Sequence, residues 1–248
     1  MGKRIAFANL IWMACCALFG QNGPAAPPPP LEFEVASVKP AKVSPDGFTM
    51  SENLDPALVR LNNMSMQNCI LRAFGINSYQ LSGPDWMWSE YYDIVAKMPA
   101  GASKKRFPAM LQKLLEQRFQ LKFHREPRVL PAYALLVSSG GLKIHPSENK
   151  QGAGTQVQAG HIEAHETSLA YLAASLYGWV DRPVLDETGV PGAFDFTLDW
   201  AVDEEHETAG LPSIRVALEE KLGLKLEPRK LPVEMLVIDH IEKKPSEN

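Results

Sequence analysis

The chain has 248 residues, 45% of them hydrophobic, which is enough for a full core in one domain or in two small ones. Its 25 basic and 29 acidic residues give a net charge of −4; losing Lys3 and Arg4 with a leader would leave 23 against 29, or −6. That mildly acidic balance excludes the basic footprint of a nucleic-acid binder and the polybasic patch of a protein that docks on anionic lipid.

Lys3 and Arg4, followed by the apolar run Ile5 to Phe19 that only Asn9 interrupts, read as an export signal over residues 1–20, cleaved after Gly20. A retained anchor and lipidation at Cys15 or Cys16 are the alternatives. The run is short for a membrane span of roughly 20 residues, so no integral span is expected after cleavage, and the mature chain would be periplasmic or extracellular. Residues 21–30, with four consecutive prolines, form a stiff linker. Cys69 is then the remaining cysteine, which rules out an internal disulfide. Its neighbours Ile70, Leu71 and Phe74 mark it as a buried hydrophobe.

Glu32 to Val35 alternates polar with apolar residues, as a half-buried strand does, and Pro40 to Asn53 is rich in turn formers. Met64 to Phe74 reads as a helix capped by Asn63 or Ser65. Tyr91 to Ala96 is a strand. Phe107, Met110, Leu111, Leu114, Leu115 and Phe119 fall on one face of a helix, with Pro108 in its first turn and Ser103 as a cap. Leu121 and Phe123 begin a strand, Tyr133 to Val137 a second one, and Arg125 to Pro131 is the size of a hairpin connection. Beyond the polar, Gly-containing stretch Asn149 to Gly154, the order returns: a strand at Ile162 and Ala164, a helix at Ser168 to Tyr177, and a strand at Phe194 to Trp200. A helix at Ile214 to Leu222 follows, then strands at Leu224 to Leu226 and Met235 to Ile238.

The return is also literal. Leu115-Glu116 with Leu121-Lys122 recurs as Leu218-Glu219 with Leu224-Lys225; Pro131 recurs as Pro232; Asp93 between Tyr92 and Ile94 recurs as Asp195 between Phe194 and Phe196. A duplicated unit must be one compact supersecondary arrangement. The expected fold is therefore α+β with two related modules, each a small, mostly antiparallel sheet carrying two helices on one face. The expected boundaries are 31–148 for the first module, 149–160 for a linker and 161–248 for the second.

Leu71 to Ile76, Leu81 to Trp86, Tyr92 to Lys97, Arg118-Phe119, Phe123 to Glu126, the opening Phe33 to Pro40 and Val184-Leu185-Asp186 together carry a family likeness. Through them the chain resembles the soil-associated exported family abundant in Acidobacteria, a domain of unknown function. Some relatives are joined to membrane metallopeptidases of the antibiotic-sensor type, which implies a sensory or binding role outside the cell. The helix and strand order of Thr167 to Ile241 also resembles the short N-terminal module of secretins and TonB-dependent receptors, an analogy of fold alone.

His161, Glu163 and His165 would share one face of a strand, and imidazole with carboxylate suits zinc, yet the order is not His-Glu-x-x-His, and a polar strand face exposed to solvent is the favoured reading over a metal site. His124 with Glu126 could form an acid–base pair or plain charge pairing beside a turn. The acidic run Asp203 to Glu207 lacks calcium-loop spacing and reads as a solvated loop. Asp181, Asp186 and Glu187 read as turn formers near Pro183 and Gly189. Trp86, Trp88, Tyr91 and Tyr92 form an aromatic cluster that either closes the core or, if exposed, recognises a sugar or a protein. No nucleophile elbow, phosphate loop or dinucleotide fingerprint is present, and no cofactor is expected. The leading expectation is a non-enzymatic binding or interaction protein whose partner is a protein or a cell-envelope ligand. A hydrolase with its site between modules and a sensory ectodomain are the competing readings.

Overall fold

The computed structural model describes residues 31–41, 50–55, 58–148, 154–202 and 210–247. The expected export signal and proline linker, the acidic run Asp203 to Glu207 and nearly all of Asn149 to Gly154 lie outside the described residues. The protein is mixed α/β with mostly antiparallel sheets. Its first half runs β1 (Val35–Pro40), β2 (Ser51–Asp55), β3 (Leu58–Ser65), α1 (Met66–Phe74), β4 (Leu81–Ser82), β5 (Tyr91–Lys97), α2 (Phe107–Phe119) and β6 (Lys122–Val137). The second runs β7 (Gly154–Gln158), β8 (His161–Thr167), α3 (Leu169–Leu176), β9 (Val184–Asp186), β10 (Phe194–Asp199), α4 (Ile214–Ala217, continued by a π-helical turn, Leu218–Leu222) and β11 (Leu224–His240).

Local chemistry sets the same joints in both halves. Ser65 caps α1 by accepting from the Asn68 N–H at 3.1 Å, and Ser168 caps α3 by accepting from the Tyr171 N–H at 3.2 Å. Just before each cap the strand turns through a left-handed residue, Asn63 (φ 55°) or Glu166 (φ 48°). Neither residue has glycine's freedom there, and each is held by a carboxylate on the neighbouring strand. The Asn63 N–H donates to Asp93 Oδ1 at 2.8 Å and the Glu166 N–H to Asp195 Oδ1 at 2.7 Å. That N–H, together with the Ser147 hydroxyl, holds the Asp195 carboxyl below its ordinary range.

Two sheets also match, β1-β5-β3-β2 in the first half and β10-β8-β7 in the second. Ala41 donates to the Tyr91 carbonyl beside β5, and Ser147 donates to the Ala193 carbonyl beside β10; Pro146 bridges Phe194 as Pro40 pairs with Tyr92. The segment beside β10 therefore occupies the place of the end of β1.

The third sheet, β4-β11-β6-β9, corrects the expectation that each half closes its own sheet. β6 and β11 pair with one another, antiparallel, from Leu224 opposite Val137 to His240 opposite Lys122, with parallel β4 and β9 outside them. Each is one unbroken strand, so the expected hairpin at Arg125 to Pro131 does not exist. The prolines that suggested a break sit where a strand tolerates them. Tyr133 donates outward, to the Pro183 carbonyl, so every second residue on β6 points its nitrogen away from β11, Pro127 and Pro131 among them. Pro228 and Pro232 face the opposite edge by the same register. They cap edge stretches that β9 and β4 do not reach, and cost no ladder bond.

Two smaller differences concern boundaries. The first strand begins at Val35 instead of Glu32, and Gly154–Gln158, expected in a linker, forms β7.

The long strands exchange sides. β6 starts against the first core, where Phe123 meets Phe74 edge-on at 4.7 Å, and ends by placing Tyr133 and Leu135 in the second. β11 runs the other way, from Leu224 in the second core to Leu236 and Ile238 in the first. The tail after β11 stays with the first half, Glu242 donating to the Phe119 carbonyl and Tyr92 to that of Lys243. Among the described residues, no helix is long and apolar enough to cross a membrane.

Cys69 is fully buried in the first core, and burial pushes its thiol up to about 12. A thiol reagent at about pH 8 should therefore leave the native chain, cut back to residue 21, unmodified and label it only on unfolding. Fast stoichiometric labelling of the native chain would contradict this burial.

Candidate functional site

The sequence-derived candidates fall in three separate places. His161, Glu163 and His165 do share the outer face of β8, alternating with buried Ile162 and Ala164. His161 Nδ1 lies 2.6 Å from Asp199 Oδ1, and His165 Nε2 lies 3.4 Å from Glu163 Oε1. Among the described residues, no three His, Cys, Asp or Glu side chains converge on one point.

His124 and Glu126 stand on an exposed face of the central sheet. His124 Nδ1 is 2.8 Å from Asp239 Oδ1 and its Nε2 is 3.8 Å from Glu126 Oε2; Arg128 Nε donates to Glu126 Oε1 at 2.7 Å. That arginine bond, with a smaller contribution from His124, holds the Glu126 carboxyl below its usual range. The same ladder recurs on β11, where Arg229 and Lys225 flank Glu227 and lower its pKa in turn. Both are exposed runs of alternating basic and acidic side chains along one strand, which charge pairing explains without proton transfer.

The aromatic cluster is divided between core and surface. Tyr92 is 2% exposed and packs edge-on against Phe119 at 5.0 Å, while Trp88 is 40% exposed. Trp86 is half-buried, with Lys243 lying 5.5 Å from its ring centre, and Tyr91 is half-buried at the start of β5.

A cavity lies elsewhere, in the second half. It measures about 690 Å³ and is lined by Gly178 to Asp181, Trp200 to Val202, and Leu211 and Ser213 to Arg215. In the first half Phe107 and Met110 of α2 are 3% and 0% exposed and fill the core. In the second half α4 starts at Ile214, and the exposed Leu211 and Ser213 before it line the opening. The opening remains framed by Ala201, which donates to the Pro212 carbonyl at 2.9 Å.

The walls are aromatic and charged. Buried Trp200 braces half-buried Trp179 edge-on, ring centres 5.5 Å apart. The Arg215 guanidinium lies 4.4 Å from the centre of the Tyr133 ring, and that of Arg182 lies 5.5 Å from it. Tyr133 donates its hydroxyl to Asp181 Oδ1 at 2.8 Å, and Arg182 Nε donates to Asp181 Oδ2 at 3.1 Å. The tyrosine hydroxyl first, and Arg182 further, hold the Asp181 carboxyl below its ordinary range. Of these residues the sequence reading weighed only Asp181, as a turn former. The available signal was the short helix of the second half, which starts at Ile214, after Ser213.

A mixed α/β protein with mostly antiparallel sheets and a cleft of about 690 Å³ is as far as the geometry alone classifies this chain. The family model for DUF3738, a protein of unknown function, matches residues 67–241, and the chain belongs to that family. Neither a curated protein nor a solved structure matches it.

Proposed function

We propose that this chain is an exported binding protein made of two copies of one α+β unit, with its ligand site in the cleft of the second copy. Duplication is supported by the matched element order, the paired caps Ser65 and Ser168, and the carboxylate-held turns at Asn63 and Glu166. Export is supported by the charged and then apolar start of the sequence.

The observation that carries the binding reading is the cleft itself. It falls within the roughly 300–1,000 Å³ typical of small-molecule sites, and it opens beside the start of α4, where the exposed Leu211 and Ser213 line it. The hydrolase reading draws on His124 and His161, but both sit in surface pairs and neither lines this cleft.

A thermal-shift screen of metabolites and glycan fragments should stabilise the wild-type chain and leave the melting temperature of Trp179→Ala unmoved. Chromogenic ester, glycoside and peptide substrates should remain intact. Turnover that disappears in His124→Ala or His161→Ala would make the protein a hydrolase instead.

A further inference from the structure

We infer that the cleft takes a ligand whose ring body carries a carboxylate, held by Arg215 while the ring lies against Trp179. This rests on the reading of the cleft as the binding site. Its first ground is the state of Arg215. Arg72, Arg125, Arg128, Arg182 and Arg229 are each paired with a carboxylate of the chain, and Arg60 and Arg106, which have no such pair among the described residues, do not line the cleft. The Arg215 guanidinium has no hydrogen bond or ion pair to any described residue, although it is exposed, lines the cleft and lies over the Tyr133 ring. A guanidinium over a ring face keeps its N–H edge for an acceptor, and a carboxylate matches that edge with two parallel bonds.

The second ground is local charge. Asp181 is the one carboxylate among the described lining residues, and both its oxygens are engaged, one by the Tyr133 hydroxyl and one by Arg182. Among those lining residues Arg215 is the one cation, and Asp181 is already matched by Arg182 beside it. The third ground is the rest of the wall. Trp179 offers an aromatic surface for a ring, and Ser213, whose side chain makes no capping hydrogen bond to α4, lines the same space. An acidic sugar and an aromatic acid share this chemistry.

Isothermal titration of the chain beginning at residue 21 tests the inference with two matched pairs of probes. These are methyl glucuronoside against methyl glucoside, and 2-naphthoate against 2-naphthylmethanol. At least one acid should bind about tenfold or more tightly than its neutral partner. Arg215→Gln should abolish that preference without weakening the neutral probe, and Trp179→Ala should weaken both members of the pair. Preference confined to the glucuronoside assigns a sugar acid; preference confined to the naphthoate assigns an aromatic acid. Equal binding of acid and neutral probe, lost in Trp179→Ala, overturns the carboxylate while leaving the cleft as the site. Binding that neither variant alters, or none by any probe at millimolar concentration, overturns both.

Discussion

Expressed alone, residues 31–137 will not fold. The first half owns two helices and a four-stranded sheet, yet its core is completed by the other half. Leu236, Ile238 and Ile241, which are 1%, 7% and 9% exposed, all come from β11 and the residue after it, and β4 has β11 as its strand partner. Burying each such side chain is worth about 2 kcal/mol, so losing three of them removes several kcal/mol from a fold whose total stability is of order 5–15 kcal/mol. The fragment would also leave β6 without the strand it pairs with along its whole length. Urea titration followed by circular dichroism should show no cooperative transition for the fragment. Co-expression with residues 138–248 should restore one. A cooperative transition for the fragment alone would show that the halves are separable, contrary to the crossed strands.

Gly223→Ala will destabilise the chain by about 3 kcal/mol, combining left-handed backbone strain with a steric collision. Gly223 ends the π-helical turn at φ 70°, and a β-carbon there would run into the Gly141 carbonyl oxygen. That segment has no slack, because Ser138 donates to the Gly223 carbonyl and Lys143 to the Leu222 carbonyl. The first half supplies the control: Gln120 ends α2 at φ 50° and carries a full side chain. Gln120→Gly should therefore change stability by well under about 1 kcal/mol. Equal and small effects of the two substitutions in chemical denaturation would remove the collision from the account.

Local patterns made the helices and short strands readable. α1, α2, α3, β5, β8 and β10 each carry an unbroken period of apolar residues, and Ser65 and Pro108 mark starts that the structure keeps. What failed was long-range. Pro127, Pro131, Pro228 and Pro232 imitate a turn because the sequence does not say which edge each nitrogen faces, and that depends on a partner strand about a hundred residues away. Crossed pairing of β6 and β11 is invisible for the same reason: either half could in principle have closed on itself. The candidate site was hidden differently. Trp179, Trp200, Arg215 and Tyr133 come from four distant segments, and Tyr133 and Trp200 each read as an ordinary core residue. The histidines stood out because they are rare and clustered, but clustering along a strand face does not bring ligands to a point.

The measurement that bears most directly on the cleft is the indole N–H region of the NMR spectrum during titration with 2-naphthoate or methyl glucuronoside. Residues 21–248 contain four tryptophans, two in the first half (Trp86, Trp88) and two at the cleft (Trp179, Trp200), so each signal reports one place. The account predicts that the signals of Trp179 and Trp200 move with a common saturation curve while those of Trp86 and Trp88 stay still. Movement of Trp86 or Trp88 alone would relocate recognition to the first-half cluster and contradict the cleft as the working site.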